Sequence, residues 1–266
     1  MQDSKSISFL DESRNFSVHV LDGQKLINEL AIIHNVSGEG FNFFREIVLS
    51  AVHLSSFLKN KEGLGFFIDS EVPYFRFKIE LNAHGTLRTL LLPANFDEFP
   101  QAITGRLRIS KVLPQSKTPY TSLIELNQTP LGEVVNSGIK DSYQTEVLIT
   151  VSEQSDHGLM FIKFPSDEEK SLEDYKNEYN QKLLNLCNQY RDDQQGLIKG
   201  CENLGLHLLA QRDIKFKCNC SRERMLLGLK DLLKSNSIED IFAGDEHVEL
   251  KCDYCHTSYQ ILRSEL

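Results

Sequence analysis

The chain has 266 residues, 40% of them hydrophobic and 25% charged, with a formal net charge of -9. That length accommodates one large domain or two unequal ones, and the composition is that of an ordinary globular protein. The acidic balance works against nucleic-acid partners, which require clustered Lys and Arg. No apolar run reaches the ~20 residues of a transmembrane helix, so no membrane partner is expected. The segment from Met1 to Phe16 lacks the basic start and apolar core of a signal peptide. The expected location is therefore cytoplasmic. In that reducing compartment paired cysteines are metal ligands more often than structural disulfides.

Residues 1–165 read as a mixed α/β domain. Helical spacing of apolar residues marks a first helix at Lys25–Ile33 and a second from Phe41 to about Lys59, with Phe44, Ile47, Val48, Ala51 and Leu54 on one face. Strands follow. In Tyr74–Leu81, Phe75, Phe77, Ile79 and Leu81 alternate with Arg76, Lys78 and Glu80. Asn82-Ala83-His84-Gly85 is a turn, and Thr86–Leu92 returns as a strand. Further strands are expected near 105–112, 119–126, 146–151 and 158–164, with a short helix over 131–142.

After Pro165 the composition turns polar and acidic, and residues 166–212 read as a helical linker. Leu172, Tyr175, Tyr179, Leu183, Leu186 and Tyr190 recur at steps of three and four, the pattern of an amphipathic helix. Such a stripe either packs on the domain core or serves a partner. Residues 197–212 are expected to hold a short helix and a strand. Cys187 and Cys201 fall in this linker and read as lightly buried, inert thiols.

Residues 213–266 read as a compact module. Ile214–Lys217 is strand-like and leads to Cys218-Asn219-Cys220. Ser221 is placed to cap a helix running to about Leu233. Ser237-Ile238-Glu239-Asp240 fits a capping box, and Val248–Lys251 with Ser258–Leu262 forms a hairpin around Cys252-Asp253-Tyr254-Cys255.

The two cysteine pairs are the strongest chemical signal. A tetrahedral Zn²⁺ site needs four soft ligands on two short turns that can face each other, and Cys218, Cys220, Cys252 and Cys255 supply them. One Zn²⁺ per chain is expected. His256, beside Cys255, is a spare candidate that four thiolates make unnecessary. On spacing alone the metal folds a module too small to bury its own core. Four thiolates leave no open position for water, which disfavours a catalytic metal. The thiolates are also reactive sulfur. Basic residues cluster at Lys215, Lys217, Arg222 and Arg224, where they would stabilise the anionic sulfurs. No phosphate-binding glycine loop, catalytic triad or carboxylate pair stands out, so the chain is not read as an enzyme.

Phe216-Lys217-Cys218-Asn219-Cys220-Ser221-Arg222-Glu223-Arg224, followed by Cys252-Asp253-Tyr254-Cys255 and Tyr259, resembles the redox-switch domain of the heat-shock protein 33 family. The order of an α/β domain, helical linker and zinc module matches too, giving an α+β fold. Upstream, Gly85 and Arg88 keep part of the family's Gly-x-x-Arg-Gly, while Val18-His19-Val20 stands where the family has Arg-Gly. The resemblance implies an ATP-independent, redox-regulated holdase for unfolded or aggregating clients. Its reduced four-cysteine zinc site keeps it inactive. Oxidation releases zinc and forms the redox-active disulfides Cys218–Cys220 and Cys252–Cys255. A homodimer is implied in the oxidised state. The rival expectation is a constitutive, zinc-stapled protein-binding module without redox switching.

Overall fold

A computed structural model describes residues 3–165 and 170–266. It divides into two compact units, Met1–Phe216 and Lys217–Leu266. The acidic break expected after Pro165, Ser166 to Glu169, lies outside the described residues. The fold contains both helices and sheets, as an α+β fold requires.

The larger unit is layered around two sheets, antiparallel except for one short parallel pair at an edge. Strands β1 (Lys5–Asp11) and β2 (Phe16–Asp22) open the chain, ahead of the helices that lead the sequence-based reading. Helices α1 (Gln24–His34) and α2 (Gly38–Val52) follow, and a 3₁₀ turn over His53–Phe57 completes the second. Next come β3 (Gly63–Val72), β4 (Phe75–Asn82), β5 (Thr86–Leu92), β6 (Ala102–Val112) and β7 (Tyr120–Pro130). Helix α3 (Leu131–Tyr143) precedes β8 (Val147–Val151) and β9 (His157–Lys163). The region expected to be a linker carries α4 (Leu172–Gln189), α5 (Gln194–Asn203) and most of β10 (His207–Asp213), all within the larger unit.

Among the described residues, one sheet has the order β10-β1-β2-β9-β8, and the other β11-β5-β4-β3-β6-β7, with β11 being Lys215–Phe216. Helices α1 to α3 fill the space between them. Phe43, Phe44, Ile47 and Val48 of α2 share one core with Phe66, Phe75 and Phe77 of the larger sheet and Met160 and Ile162 of the smaller. The alternation read in β4 is realised here, its four apolar side chains all buried on the helix side.

The outer face of the smaller sheet forms a second core with α4 and α5. Leu172, Tyr175, Tyr179 and Leu183 of α4 pack on Phe9, Phe16, Val18 and Phe161. The amphipathic stripe therefore covers sheet, and its rings stack, with Tyr175 lying 4.0 Å from Phe16. The Tyr175 hydroxyl donates to the buried Asp11 carboxylate at 3.0 Å. Cys187 and Cys201 are not lightly buried: at 1% and 0% exposure they sit inside this core. Burial pushes both thiols above their ordinary range, Cys201 to about 12, so they are poor nucleophiles.

Gly85 places the last strands of this unit. Its φ is +79°, and a Cβ there would lie 1.9 Å from the Asp213 carbonyl oxygen. Its own carbonyl accepts from the Lys215 N–H at 2.9 Å, which starts the parallel β11–β5 pairing. Ile214 is buried in the larger core, so the chain leaves that unit only after Phe216.

A chain of buried basic groups runs through the smaller sheet. His19 of β2 is held by the hydroxyls of Ser8 at 2.8 Å, Ser17 at 3.1 Å and Ser56 at 3.2 Å. His53 is 1% exposed, and neither ring nitrogen has a partner among the described residues. Arg212 of β10 donates to the Ser55 carbonyl. Burial lowers His19 to about 4, helped by Arg212, and lowers His53 to about 3, helped by His19. Both rings are neutral when folded and protonate when unfolded below about pH 6.5. Stability is thus greatest above that pH. It falls by about 1.4 kcal/mol per histidine per pH unit as acid is added, until the folded values are reached. Urea melts of the reduced protein at pH 7.5, 6 and 5 are expected to show this decline. A His53→Leu variant should show a shallower decline, since one depressed ring no longer titrates while His19 and His157, also lowered by burial, still do.

Candidate metal centre

In the smaller unit, two short segments bring the cysteines together. The first pair lies between β11 and α6 (Arg222–Leu232). Ser221 caps α6, its hydroxyl accepting from the Arg224 N–H at 3.3 Å, which fixes the exit of the Cys218-Asn219-Cys220 turn. After α6 the chain turns through α7 (Ile238–Phe242), started by the expected capping box between Ser237 and Asp240. The second pair occupies the turn between β12 (His247–Lys251) and β13 (Ser258–Leu262). The Cys252 N–H donates to Thr257 at 2.9 Å, and the His256 N–H to Cys252 at 2.8 Å. His256 closes that turn with φ +59°.

The Sγ atoms of Cys218, Cys220, Cys252 and Cys255 all lie within 4.8 Å of one another. Cys218 and Cys252 are 3.7 Å apart, and Cys220 and Cys255 are 3.3 Å apart. Four sulfurs at about 2.3 Å from one tetrahedral ion stand about 3.8 Å from each other. The donor set and spacing thus fit one thiophilic ion. His256 is not part of the group.

The surroundings tune the sulfurs unequally. Without a cation, burial pushes the Cys218 thiol up to about 12. At Cys255 burial also acts upward, but the Thr257 hydroxyl and N–H and the neighbouring thiols outweigh it, setting that group at about 7. The Tyr259 hydroxyl lies 3.1 Å from Cys220 Sγ. Thr257 and Tyr259 are the residues whose roles spacing did not reveal. Thr257 directly precedes β13 and Tyr259 lies on it; Tyr259 belongs to the motif that carries the family resemblance, which assigns it no role.

The basic cluster does not gather on the sulfurs. Arg222 forms a bidentate pair with Glu265, one arm at 2.7 Å, and holds that carboxyl down at about 2. Arg224 donates to the Asn219 carbonyl at 2.9 Å. Lys215 belongs to the larger unit and pairs with Asp3 and Asp213. These side chains brace the turn that carries the first pair, or serve the other unit. Among the described residues, the partners of Arg222, Arg224 and Lys215 are carboxylates and a carbonyl and not the sulfurs.

A layered α+β unit followed by a small four-cysteine unit defines a scaffold joined to a module with a site able to hold a metal ion. A family model described as Hsp33 protein matches residues 4–262. The chain belongs to the Hsp33 family. It is 22% identical to the 33 kDa chaperonin of Limosilactobacillus fermentum, covering 96% of this chain and 94% of that protein. It is 21% identical to the 33 kDa chaperonin of Aquifex aeolicus, covering 93% and 83%. The crystal structure of the Thermotoga maritima 33 kDa chaperonin shares the fold with a TM-score of 0.73 at 18% identity, over 99% of this chain and 96% of that one. No helix among the described residues is long and apolar enough to cross a membrane.

The smaller unit's own core is slight, with Leu229, Phe242 and Ile261 buried at its centre. Metal binding contributes on the order of 10 kcal/mol to folding in small modules of this kind. Adding a strong chelator to the reduced, metal-loaded protein should therefore erase hydrogen-exchange protection in β12 and β13. The amides of β4 and β6 should stay protected. The Cys252→Ser/Cys255→Ser double variant should show the same loss before any chelator is added.

Proposed function

We propose that the chain is an ATP-independent holdase of the reducing cytoplasm, inactive while its four cysteines are reduced and switched on when they are oxidised. The observation that carries this reading is the convergence of four thiols in a unit too small to fold on its apolar core. Cys218, Cys220, Cys252 and Cys255 would hold one Zn²⁺. When bound, zinc cross-links the two cysteine segments and keeps all four sulfurs as thiolates.

Once zinc has left, Cys255 stays a thiolate to lower pH than Cys218 or Cys252, which makes it the most reactive of these three in the metal-free unit. Each cysteine pair gives two electrons to one hydrogen peroxide. The two thiolates form one disulfide, and the peroxide takes up two protons and leaves as two waters. The family resemblance implies the bonds Cys218–Cys220 and Cys252–Cys255. Each bond joins residues within one segment, so the cross-link between segments is lost and the small unit unfolds. The change then passes along the chain to β10, α5 and α4. Releasing α4 and α5 uncovers Phe9, Phe16, Val18 and Phe161, a broad apolar surface for unfolded clients. The oxidised chain is expected to pair with a second copy.

One observation favours the rival, a constitutive stapled module. The shortest sulfur contacts run between the segments, at 3.7 and 3.3 Å. Oxidation in place would join Cys218 to Cys252 and Cys220 to Cys255, and would keep the unit stapled. Disulfide mapping separates the two readings. Peroxide with mild heat is expected to release about one zinc per chain, as four thiolates per ion require. It should give bonds within each pair and start suppression of citrate synthase aggregation, all reversed by reductant and zinc. Bonds between segments, or equal activity in both redox states, would leave the rival standing.

The restraint on the client surface has its own test. Tyr175→Ala removes the ring stacked on Phe16 and the donor to buried Asp11. Its cost of about 3–5 kcal/mol falls on the docking of α4. The reduced variant should suppress aggregation without oxidant, whereas the reduced parent should not.

A further inference from the structure

The outward face of the six-stranded sheet takes no part in that switch. Its cross-strand register sets rows of side chains. In the first, Arg76 pairs with Asp69 at 3.4 Å and Arg106 with Glu125 at 3.1 Å. In the third, Arg88 pairs with Glu80 at 2.7 Å. The row between them runs Leu90, Lys78, Phe67, Arg108, Leu123 and contains no carboxylate.

That middle row is built around one ring. A Cβ at Gly65 would lie 2.4 Å from the Phe67 ring, so glycine lets the ring lie flat along its own strand. Arg108 sits 4.7 Å and Lys78 6.0 Å from the ring centroid, on the two flanking strands. Neither cation is in an ion pair among the described residues. Two unpaired cations on an aromatic, between rows of satisfied pairs, mark a surface complementary to anions.

Among the described residues, the row ends at an open sheet edge. Strand β7 is eleven residues long and outermost in its sheet. Its only charge is Glu125, and its only proline is the terminal Pro130. Leu123 and Tyr120 are 62% and 61% exposed. Proteins commonly blunt such an edge with lysine, proline or a covering element. Tyr120 to Thr129 shows neither residue type. An edge of unpaired N–H and C=O groups at strand spacing is matched by another extended polypeptide.

We infer that the β7 edge, with the Lys78–Phe67–Arg108 row beside it, docks extended polypeptide segments that carry carboxylates. The segment adds as a seventh strand. Its backbone pairs with β7. On the outward face its acidic side chains lie beside Leu123 and reach toward Arg108, while its apolar side chains fall on the opposite face beside Tyr120 and Ile124. This names the client chemistry and so rests on the chaperone reading, but a peptide assay tests it without any holdase activity. A nucleic acid would suit the cations and the ring but cannot pair with the strand edge.

The test uses fluorescent peptides of about ten residues, a typical strand length, alternating Val with Glu or Val with Lys. An oligothymidylate serves as the competing anion. Anisotropy is measured with the full-length reduced, zinc-loaded protein. The Val/Glu peptide should bind at least about tenfold more tightly than the Val/Lys peptide, and more weakly as salt rises. The Lys78→Gln/Arg108→Gln variant changes two solvent-facing side chains of the sheet's outer face. It should lose about tenfold toward the Val/Glu peptide alone. Alternate amides within 120–129 should gain hydrogen-exchange protection when the peptide is bound. Equal binding of the two peptides, an unchanged double variant, protection confined to other strands, or tighter binding of the oligothymidylate would each overturn the inference. If the oxidised protein suppresses aggregation while the peptide results fail, only the docking edge is wrong. If the peptide results hold and no redox state suppresses aggregation, the edge stands and the chaperone reading falls.

Discussion

Four sulfurs crowded within 4.8 Å are the constraint on which the smaller unit depends. As thiolates they repel one another, and as thiols they are small hydrophobes with weak hydrogen bonds. Around them the unit has only a slight core at Leu229, Phe242 and Ile261. Local features hold the chain ready: the Ser221 cap, the capping box at Ser237, the turn closed by His256, and the Arg222–Glu265 fork. Caps and ion pairs that stand in solvent stabilise only weakly. Together they shape the site but do not join the two cysteine segments across it.

The larger unit is organised on the opposite principle. Its sheets are tied through aromatic side chains of α2, with Phe43 meeting Phe75 and Phe96 at 4.8 and 5.3 Å. Only the layer of α4 and α5 lies on the far side of the smaller sheet. A layer at the end of a stack can leave without opening what lies beneath it, because the inner core keeps both its walls. The stacking order therefore makes α4 and α5 the separable part of an otherwise robust scaffold.

Much of this was legible in the chain. The cysteine spacing, the cap at Ser221, the capping box at Ser237 and the stripe from Leu172 to Tyr190 are local patterns, and local patterns survive folding. The strands that passed unread have physical reasons. In β2, Phe16, Val18 and Val20 do alternate with Ser17 and His19, but the alternation is short and breaks at Val20-Leu21, and the polar positions are buried as well. In β3, Gly63 and Gly65 weaken the strand signal, although Gly65 is there to let Phe67 lie flat. The depth of Cys187 and Cys201 depends on a helix pairing with a distant sheet, which no spacing encodes. Likewise, Arg222 looked like a partner for thiolates until the fold brought Glu265 to it. The nearest sulfur neighbours are also a tertiary fact: sequence puts Cys218 beside Cys220, and the turns put it beside Cys252.

The junction between the units carries its own consequence. Only Lys215 and Phe216 pair with β5 before the chain departs, and just upstream Ile214 is 2% exposed within the larger core. A two-residue parallel pairing frays readily, but a buried isoleucine does not leave its site without opening a cavity. Ile214 thus acts as a bulkhead. Loosening that starts among the cysteines runs back along the backbone through Phe216 and stalls there, unless the disturbance is large enough to draw Ile214 out. In calorimetric terms the molecule should behave as two foldons with separate transitions, and the height of this barrier decides how readily a disturbance in one becomes a melting of the other.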